Sequence, residues 1–219
     1  MSPDRPSQRS WRRSAVPRAG LTTAGVVDHA LAVVDQQGVG GLTLAAVAGR
    51  AGVATPSLYK HVRGLPELRT LLGIRVLEEM ADRFAAAVMG RSTDDAVAAL
   101  LREYRAYATE YPARYATLPF DPLHNPGQVT AGTRLMNVFL AVMRGYDLQG
   151  SDAVHATRRC RAVAHGFVDI EVAGGFGLPE DLDETYEQLI TMLVMSLRAQ
   201  TRSTVTLPGN SRSANLPMA

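Results

Sequence analysis

Apolar residues recur three or four positions apart along most of this chain, which is the spacing of one face of an α-helix. The first such segment is residues 21–37, in which Val26, Ala30 and Val34 repeat at this interval. A threonine at position 22 or 23 can cap its start, and the glycines at 38, 40 and 41 end it. The pattern therefore predicts an amphipathic helix at the beginning of a folded region.

Two shorter helical segments follow the first one. Thr43 can cap a helix that ends before Gly52, and Thr55 followed by Pro56 marks the start of another helix over residues 56–62. Proline costs little at the first helical position because its missing N–H would be unpaired there. Three helices joined by a tight, glycine-containing turn predict a helix-turn-helix unit.

Longer helical patterns fill the rest of the chain, and no segment shows the alternation that is typical of strands. The segment 128–146 is apolar on most sides, which predicts a central helix. We therefore predict an all-α fold, with an N-terminal three-helix unit at residues 21–65 and a larger helical bundle at residues 66–200. The predicted helices of the bundle cover residues 66–88, 94–111, 113–118, 128–146, 151–173 and 181–200.

Composition and charge separate the two ends of the chain from its middle. Apolar residues make up 46% and charged residues 20% of the sequence, as in ordinary globular proteins. Residues 1–64 contain eight Arg or Lys against three Asp or Glu, whereas the remainder contains fifteen against eighteen. This asymmetry favours a polyanionic partner for the first part.

Both tails, residues 1–20 and 201–219, have compositions that predict disorder. The first tail holds Arg5, Arg9, Arg12, Arg13 and Arg18, so it is either a solvated tail or a basic arm that contacts DNA.

The third helix of the predicted helix-turn-helix has one polar face. At about 100° per residue, Leu58 and Val62 fall on one side and pack inward. Pro56, Ser57 and Lys60 then face outward, with Tyr59 and His61 on the flanks. Amine and hydroxyl groups can bond phosphates or base edges, while the proline and tyrosine rings can contact a thymine methyl or a sugar. A solvated helix in an unrelated all-α protein is the alternative.

These residues also carry a resemblance to a known family. The stretch from Leu21 to Gly64, and above all Gly52 to Val62, resembles the N-terminal DNA-binding domain of TetR-family regulators. Residues 161–190 resemble the WHG-type C-terminal ligand-binding domain of one TetR branch, around His165 and Gly166. The resemblance implies a homodimer that binds double-stranded operator DNA, usually represses transcription, and is released by a small-molecule effector.

The resemblance also implies which residues contact DNA. Two positions depart from the family pattern: Ala45 stands where some relatives carry a base-reading arginine, and Leu65 stands where a phosphate-binding lysine is common. We hypothesise that the arginine-rich N-terminal arm replaces some of this missing positive charge. The residues that the resemblance assigns to DNA are Thr22, Thr23, Thr43, Thr55, Pro56, Ser57, Tyr59, Lys60, His61 and Arg63.

Several aromatic, methionine and histidine side chains of the second domain could line an apolar cavity for the effector. Residues of these types at helical spacing are also common as ordinary core residues, and His165 could be a hydrogen-bonded core histidine. The candidates are Phe84, Tyr104, Tyr107, Met136, Phe139, Met143, His165 and Phe167.

The last helix carries apolar residues on more than one side. Leu189, Leu193 and Leu197 share one face, and Met192 and Met195 lie on the far side. Two apolar faces need two partners, so the pattern predicts an interface between the last two long helices of two identical subunits. The alternative is a helix fully buried within its own chain.

Local signatures of catalysis are missing from the sequence, which has no Gly-x-Ser-x-Gly elbow, phosphate-binding glycine loop or HExxH pair. His155, Cys160 and His165 are spaced by five residues and scatter around a helix, so we expect no metal and no cofactor. No run reaches the roughly 18 apolar residues of a spanning helix, and we expect a cytoplasmic protein. Two alternatives stay open: an architectural DNA-binding protein without an effector, and a small-molecule enzyme with an accessory DNA-binding module.

Overall fold

A computed structural model describes residues 20–205 of the chain. This part is helical and contains no strand, which confirms the predicted all-α fold class. Two short 3-10 helices, Val39–Gly41 and Thr55–Lys60, interrupt the series of α-helices. The α-helices are α1 (Thr23–Gln37), α2 (Leu44–Ala51), α3 (Leu65–Val88), α4 (Thr93–Glu110), α5 (Pro112–Tyr115), α6 (Val129–Arg144), α7 (Gly150–Val172) and α8 (Leu182–Val205).

Helices α1 and α2 are capped where the sequence predicts. The cap predicted at Thr55 is wrong, because Ala54 holds that position and no side chain caps the second 3-10 helix. The Thr22 hydroxyl accepts the Gly25 N–H at 3.0 Å, and the Thr43 hydroxyl accepts the Ala46 N–H at 3.1 Å. Such caps satisfy backbone donors that a helix leaves unpaired at its first turn. Both helices therefore begin within a residue or two of the predicted positions.

The turn between α2 and the second 3-10 helix depends on a glycine. Gly52 adopts φ 68° and ψ 31°, the left-handed conformation that costs glycine little. The next residue, Val53, donates its N–H to the Ala48 carbonyl at 3.0 Å and so closes the end of α2. This turn leads into the second 3-10 helix, which packs against α2 and whose Leu58 is fully buried.

The larger unit is a bundle in which α3 packs against α4 and α6, α7 packs against α4 and α6, and α8 packs against α4 and α7. Its aromatic centre is Phe84, whose ring lies 5.6 Å from that of Tyr104 and 6.1 Å from that of Phe139. Aromatic rings at these separations contribute packing energy beyond the area they bury. The aromatic centre of the core thus comes from α3, α4 and α6, and α7 and α8 add further buried residues to it.

Helix α6 differs from its sequence prediction. Phe139, Val142 and Met143 are buried against the bundle, but Val129, Thr133, Asn137 and other residues on the opposite side are exposed. The prediction of a central helix is therefore wrong, because some apolar residues of α6 lie at the edge of the bundle rather than inside it.

Helix α8 continues to Val205, five residues past its predicted end at residue 200. The Thr201 hydroxyl donates to the Tyr146 carbonyl at 2.9 Å, which ties this end of α8 to the loop after α6. The predicted tail therefore begins at least five residues later than residue 201. The predicted basic arm, apart from Gly20, and residues 206–219 lie outside the described part.

Arginines join the first helices to the bundle. Arg75 of α3 pairs with Asp28 of α1 at 3.0 Å. Arg114 of α5 pairs with Asp35 of α1 and with Glu79 of α3. These pairs, together with apolar contacts, fix the orientation of α1 relative to the bundle.

Candidate DNA-binding surface and ligand cavity

The candidate reading element is a 3-10 helix rather than an α-helix. Its hydrogen bonds span three residues, from the Ser57 N–H to the Ala54 carbonyl and from the His61 N–H to the Leu58 carbonyl, both at 2.8 Å. A 3-10 helix has about three residues per turn, so residues three apart lie in one row. A segment of six residues with proline near its start suits this tighter form, which proteins use in short pieces.

The change of helix type changes which side chains share a face. Pro56 and Tyr59 form one exposed row, and Lys60 is exposed in the row that it shares with Ser57. Tyr59 keeps 58% of its surface exposed, so it lies on the outer face rather than on a flank. The third row packs inward through Leu58.

Thr55, Ser57 and His61 are half-buried at the edges of this face. The Thr23 hydroxyl donates to the His61 carbonyl at 3.3 Å and so joins the start of α1 to the end of the 3-10 helix. The threonines at 22, 23 and 43 are exposed on the same part of the molecule. A hydroxyl that accepts one hydrogen bond can still donate another, so the caps at Thr22 and Thr43 leave these groups able to bond a phosphate.

Arg63 lies just beyond the 3-10 helix and is 91% exposed. Its guanidinium contacts the Glu67 carboxylate at 3.2 Å, and its backbone N–H donates to the same carboxylate. These hydrogen bonds hold the pKa of Glu67 below its usual value. The positive charge of Arg63 is thus partly balanced by a neighbour at the start of α3.

The bundle contains a partly open cavity of about 380 Å³, within the range of small-molecule sites. Its walls come from α3, α4, α5, α6 and α7 and from the loop between α5 and α6. The lining residues are Leu77, Met80, Tyr104, Pro112, Tyr115, Ala116, Leu118, Pro119, Phe120, Pro122, Leu123, Gly132, Leu135, Met136, Phe139, Thr157, Arg161, His165, Asp169 and Val172.

Half of the eight predicted ligand residues line this cavity: Tyr104, Met136, Phe139 and His165. The structure places the other four elsewhere. Phe84 and Met143 are fully buried in the core. The Tyr107 hydroxyl donates to Glu79 at 3.1 Å, and the Phe167 ring packs on Phe176 and Tyr186. These four residues have the right chemical type, but their side chains face the other helices of the bundle.

A run of polar residues on α7 was missed by the sequence analysis. Thr157, Arg161, His165 and Asp169 occur every fourth residue, and all four line the cavity. Residues four apart lie on one helix face, so this spacing was visible in the sequence. Only His165 was singled out there, because it stands in an otherwise apolar stretch of the sequence.

A chain of hydrogen bonds crosses the polar end of the cavity. The Tyr104 and Tyr115 hydroxyls are 2.9 Å apart, and the Tyr115 hydroxyl also bonds Nδ1 of His165. Burial raises the pKa of both tyrosines; at Tyr104 the Tyr115 hydroxyl and the Arg161 guanidinium oppose this shift. Both phenols therefore stay protonated at neutral pH, and His165 is hydrogen-bonded at the cavity wall.

The outer faces of α7 and α8 expose apolar side chains. Met192 and Met195 are 51% and 65% exposed, and Ile170 is 46% exposed. The opposite side of α8 is buried through Ile190 and Leu197. The alternative of an α8 fully buried within its own chain is therefore wrong.

Within residues 20–205, no group of three or more His, Cys, Asp or Glu side chains is placed to hold a metal ion. In the same part of the chain, no helix has both the length and the hydropathy needed to span a membrane.

Comparison with known proteins gives matches in both parts of the chain. Residues 26–63 match the family model described as bacterial regulatory proteins, tetR family, and residues 97–193 match the one described as tetracyclin repressor-like, C-terminal domain. The uncharacterized HTH-type transcriptional regulator Rv0681 of Mycobacterium tuberculosis is 33% identical over 197 residues, covering 89% of this chain and 88% of the relative. The uncharacterized HTH-type transcriptional regulator YobS of Bacillus subtilis is 34% identical over 170 residues, covering 77% of this chain and 88% of the relative.

A solved structure supports the same fold. A Rhodococcus sp. RHA1 protein of unknown function superposes with a TM-score of 0.71 at 21% identity, covering 83% of this chain and 98% of that one. The helix-turn-helix and the helical bundle behind it define a class of DNA-binding regulators. Within that class the chain belongs to the TetR family, and it is a DNA-binding transcriptional regulator. The resemblance seen in the sequence is thereby confirmed.

Proposed function

We propose that this chain is a repressor that binds a palindromic operator as a homodimer and leaves it when a small molecule occupies the cavity. Residues 21–65 form the DNA-binding domain and residues 66–200 the ligand-binding and dimerisation domain. One observation carries the proposal: Pro56, Tyr59 and Lys60 are exposed on a short helix that Leu58 anchors in the core. Ring and amine groups on such a rigid support suit a major groove.

The second subunit docks on the exposed faces of α7 and α8. Ala162, Gly166 and Ile170 lie four residues apart on α7, and all three are exposed. Small residues there let a partner helix approach closely, and Met192 and Met195 supply apolar area beside them. The proposed interface is isologous, with the same helices contributed by both subunits.

The cavity communicates with the DNA-binding domain through α5. Tyr115 and Pro112 line the cavity, and Arg114 between them pairs with Asp35 of α1. A ligand that displaces Tyr115 moves a helix of only four residues, so the displacement reaches α1 directly. Release follows when the two reading helices of the dimer no longer match their grooves.

Footprinting on the DNA upstream of its own gene tests the proposed operator binding. The purified full-length protein should protect two half-sites whose centres lie one helical turn, about 10 base pairs, or a close multiple apart. Protection without a discrete site would instead support the architectural alternative and contradict a repressor.

Analytical ultracentrifugation tests the proposed dimer. Replacing Met192 and Met195 with glutamate should produce monomers, because charges would be buried in the interface. Val129→Glu, at another exposed apolar residue, is the matched control and should leave a dimer. A dimer that survives the double substitution would place the interface elsewhere.

A further inference from the structure

The polar wall of the cavity differs chemically from the rest of its lining. The opposite walls are apolar, with Leu77, Met80 and Leu135 among them. The α7 wall presents Thr157, Arg161, His165 and Asp169 in one stripe. The cavity thus has one side for an apolar body and one side for a polar group.

Thr157 carries a hydroxyl without a partner. The side chain is 2% exposed, and its Oγ1 makes no hydrogen bond within the described residues. Other helical threonines behave differently: the hydroxyls of Thr70, Thr185 and Thr191 each donate to the carbonyl four residues earlier. Burying a hydroxyl without a hydrogen bond costs free energy, and a ligand oxygen that accepted a hydrogen bond from Thr157 would remove this cost.

Arg161 lies one helical turn beyond Thr157 and has no carboxylate partner in the described part of the chain. Several arginines elsewhere in the bundle do have such partners; Arg105, for example, pairs with Glu171 and Asp183. The Arg161 guanidinium instead lies near the Tyr104 hydroxyl. A cation at a cavity wall without an acid is an attractive site for an anionic group.

We propose that the cavity binds an organic acid, with an apolar, ring-containing body and one carboxylate. The carboxylate pairs with Arg161 and accepts a hydrogen bond from Thr157, while the body packs against Phe139 and the apolar walls. The assignment rests on the proposed function, since it names the class of effector that would enter the cavity.

Asp169 is the group in the cavity lining that would favour a cationic ligand instead of an acid. It lies eight residues from Arg161, about 12 Å along the helix axis, and like Arg161 it is exposed. An amine bound at Asp169 would leave the Thr157 hydroxyl without a partner and the Arg161 charge without a counter-ion. A cationic ligand is therefore the competing outcome of the test.

Calorimetric titration of the full-length protein, without DNA, distinguishes these classes. The probes are 4-butylbenzoate, 4-butylbenzamide and 4-butylbenzylamine, which share one body and differ in the polar group. We expect the acid to bind at least about tenfold more tightly than the amide, and the amine not to bind. Equal or tighter binding of the amide or amine, or no binding of the acid at 1 mM, would overturn the proposal.

Substitutions identify the groups responsible. Arg161→Gln should reduce the affinity for the acid about tenfold while changing that for the amide less than about twofold. Thr157→Val, which keeps the shape but removes the hydroxyl, should weaken acid binding about threefold or more. Arg144→Gln, an exposed arginine outside the cavity, is the matched control. Acid affinity unchanged by Arg161→Gln would contradict the assignment.

A DNA-release assay separates this inference from the proposed function. If the acid binds through Arg161 but leaves operator affinity unchanged, the ligand class stands and the effector role fails. If operator binding fails in the footprint while the acid still binds, the proposed repressor function fails alone. Loss of acid selectivity in a protein that still binds its operator overturns only the ligand class.

Discussion

Arg114 of α5 holds Asp35 of α1 through two parallel hydrogen bonds of 2.8 Å, from Nε to Oδ1 and from Nη2 to Oδ2. The same guanidinium contacts Glu79 at 3.1 Å and lies over the Tyr111 ring, 4.5 Å from its centroid. Bidentate arginine–carboxylate pairs fix geometry as well as adding energy. A short helix that lines the ligand cavity is therefore held directly to the first helix of the DNA-binding domain.

Replacing Arg114 with methionine should destabilise the protein. The substitution leaves the Asp35 and Glu79 carboxylates without their shared cation, and we expect a loss of about 2 kcal/mol in the free energy of unfolding. Urea denaturation followed by circular dichroism measures this loss. Arg144→Met, at an exposed arginine, should change the free energy by less than about 0.5 kcal/mol. If both substitutions lowered the free energy of unfolding by a similar, small amount, the Arg114 ion pairs would contribute little to stability.

Tyr59→Ala and Lys60→Ala should weaken operator binding while the protein remains folded. We expect each to cost about 1–3 kcal/mol of binding free energy, and Lys60→Ala to reduce the salt slope by about one if it contacts a phosphate. Gel-shift titrations at several salt concentrations measure both quantities. Unchanged thermal unfolding is the control for fold. Wild-type affinity in both variants would show that the reading face lies elsewhere.

Glu67→Gln should strengthen DNA binding. The Glu67 carboxylate lies beside Arg63 next to the proposed DNA-binding face, so its removal leaves the arginine charge unbalanced. Because both groups are close to solvent, we expect a gain of only about two- to threefold in affinity at low salt, which disappears at high salt. Glu187→Gln, at an acid paired with Arg102 far along the chain, is the control. Weaker binding in Glu67→Gln would contradict the prediction.

Acid should destabilise the protein partly through Asp94. The Arg198 guanidinium and the Tyr146 hydroxyl, which donates at 2.6 Å, hold the pKa of Asp94 below its usual value of about 3.9. A carboxyl with a lowered pKa stabilises the fold above its unfolded-state pKa, and this contribution is lost as pH falls through the folded-state value. Asp94→Asn should therefore reduce the difference in unfolding free energy between pH 7 and pH 3. Asp95→Asn, in the same helical turn, should reduce it less.

Cys160 should react slowly with thiol reagents in the folded protein. The side chain is 1% exposed, and burial raises the pKa of its thiol to about 11, so little thiolate exists at pH 8. We expect labelling by an aromatic disulfide reagent to be at least about 100-fold slower than in denaturant. Ser151→Cys in a Cys160→Ser background supplies an exposed comparison thiol on the same helix. Rapid labelling of the native protein would contradict the packing of α7 described above.

Features that depend on neighbouring residues could be predicted from the sequence. The caps at Thr22 and Thr43 and the turn at Gly52 follow from local backbone chemistry, which acts over three or four residues. The burial of Leu58 follows from helical periodicity in the same way. The family resemblance added the expected DNA contacts, and these stay predictions until DNA binding is measured.

The sequence could not predict which part of the folded bundle each side chain faces. Phe84 and Phe139 are both apolar aromatics at helical spacing, yet Phe84 is fully buried in the core and Phe139 lines the cavity. The 3-10 form of the reading helix also changed the faces assigned at 100° per residue, because helix type depends on packing as well as sequence.

The sequence by itself therefore determined the helices, their order and the family, since these depend on short-range periodicity and motifs. Only the tertiary structure decided that Thr157 and Arg161 meet Tyr104 and Tyr115 around one cavity. Residues tens of positions apart become neighbours through the packing of whole helices, and the spacing within a single helix does not specify which neighbours its polar side chains will meet.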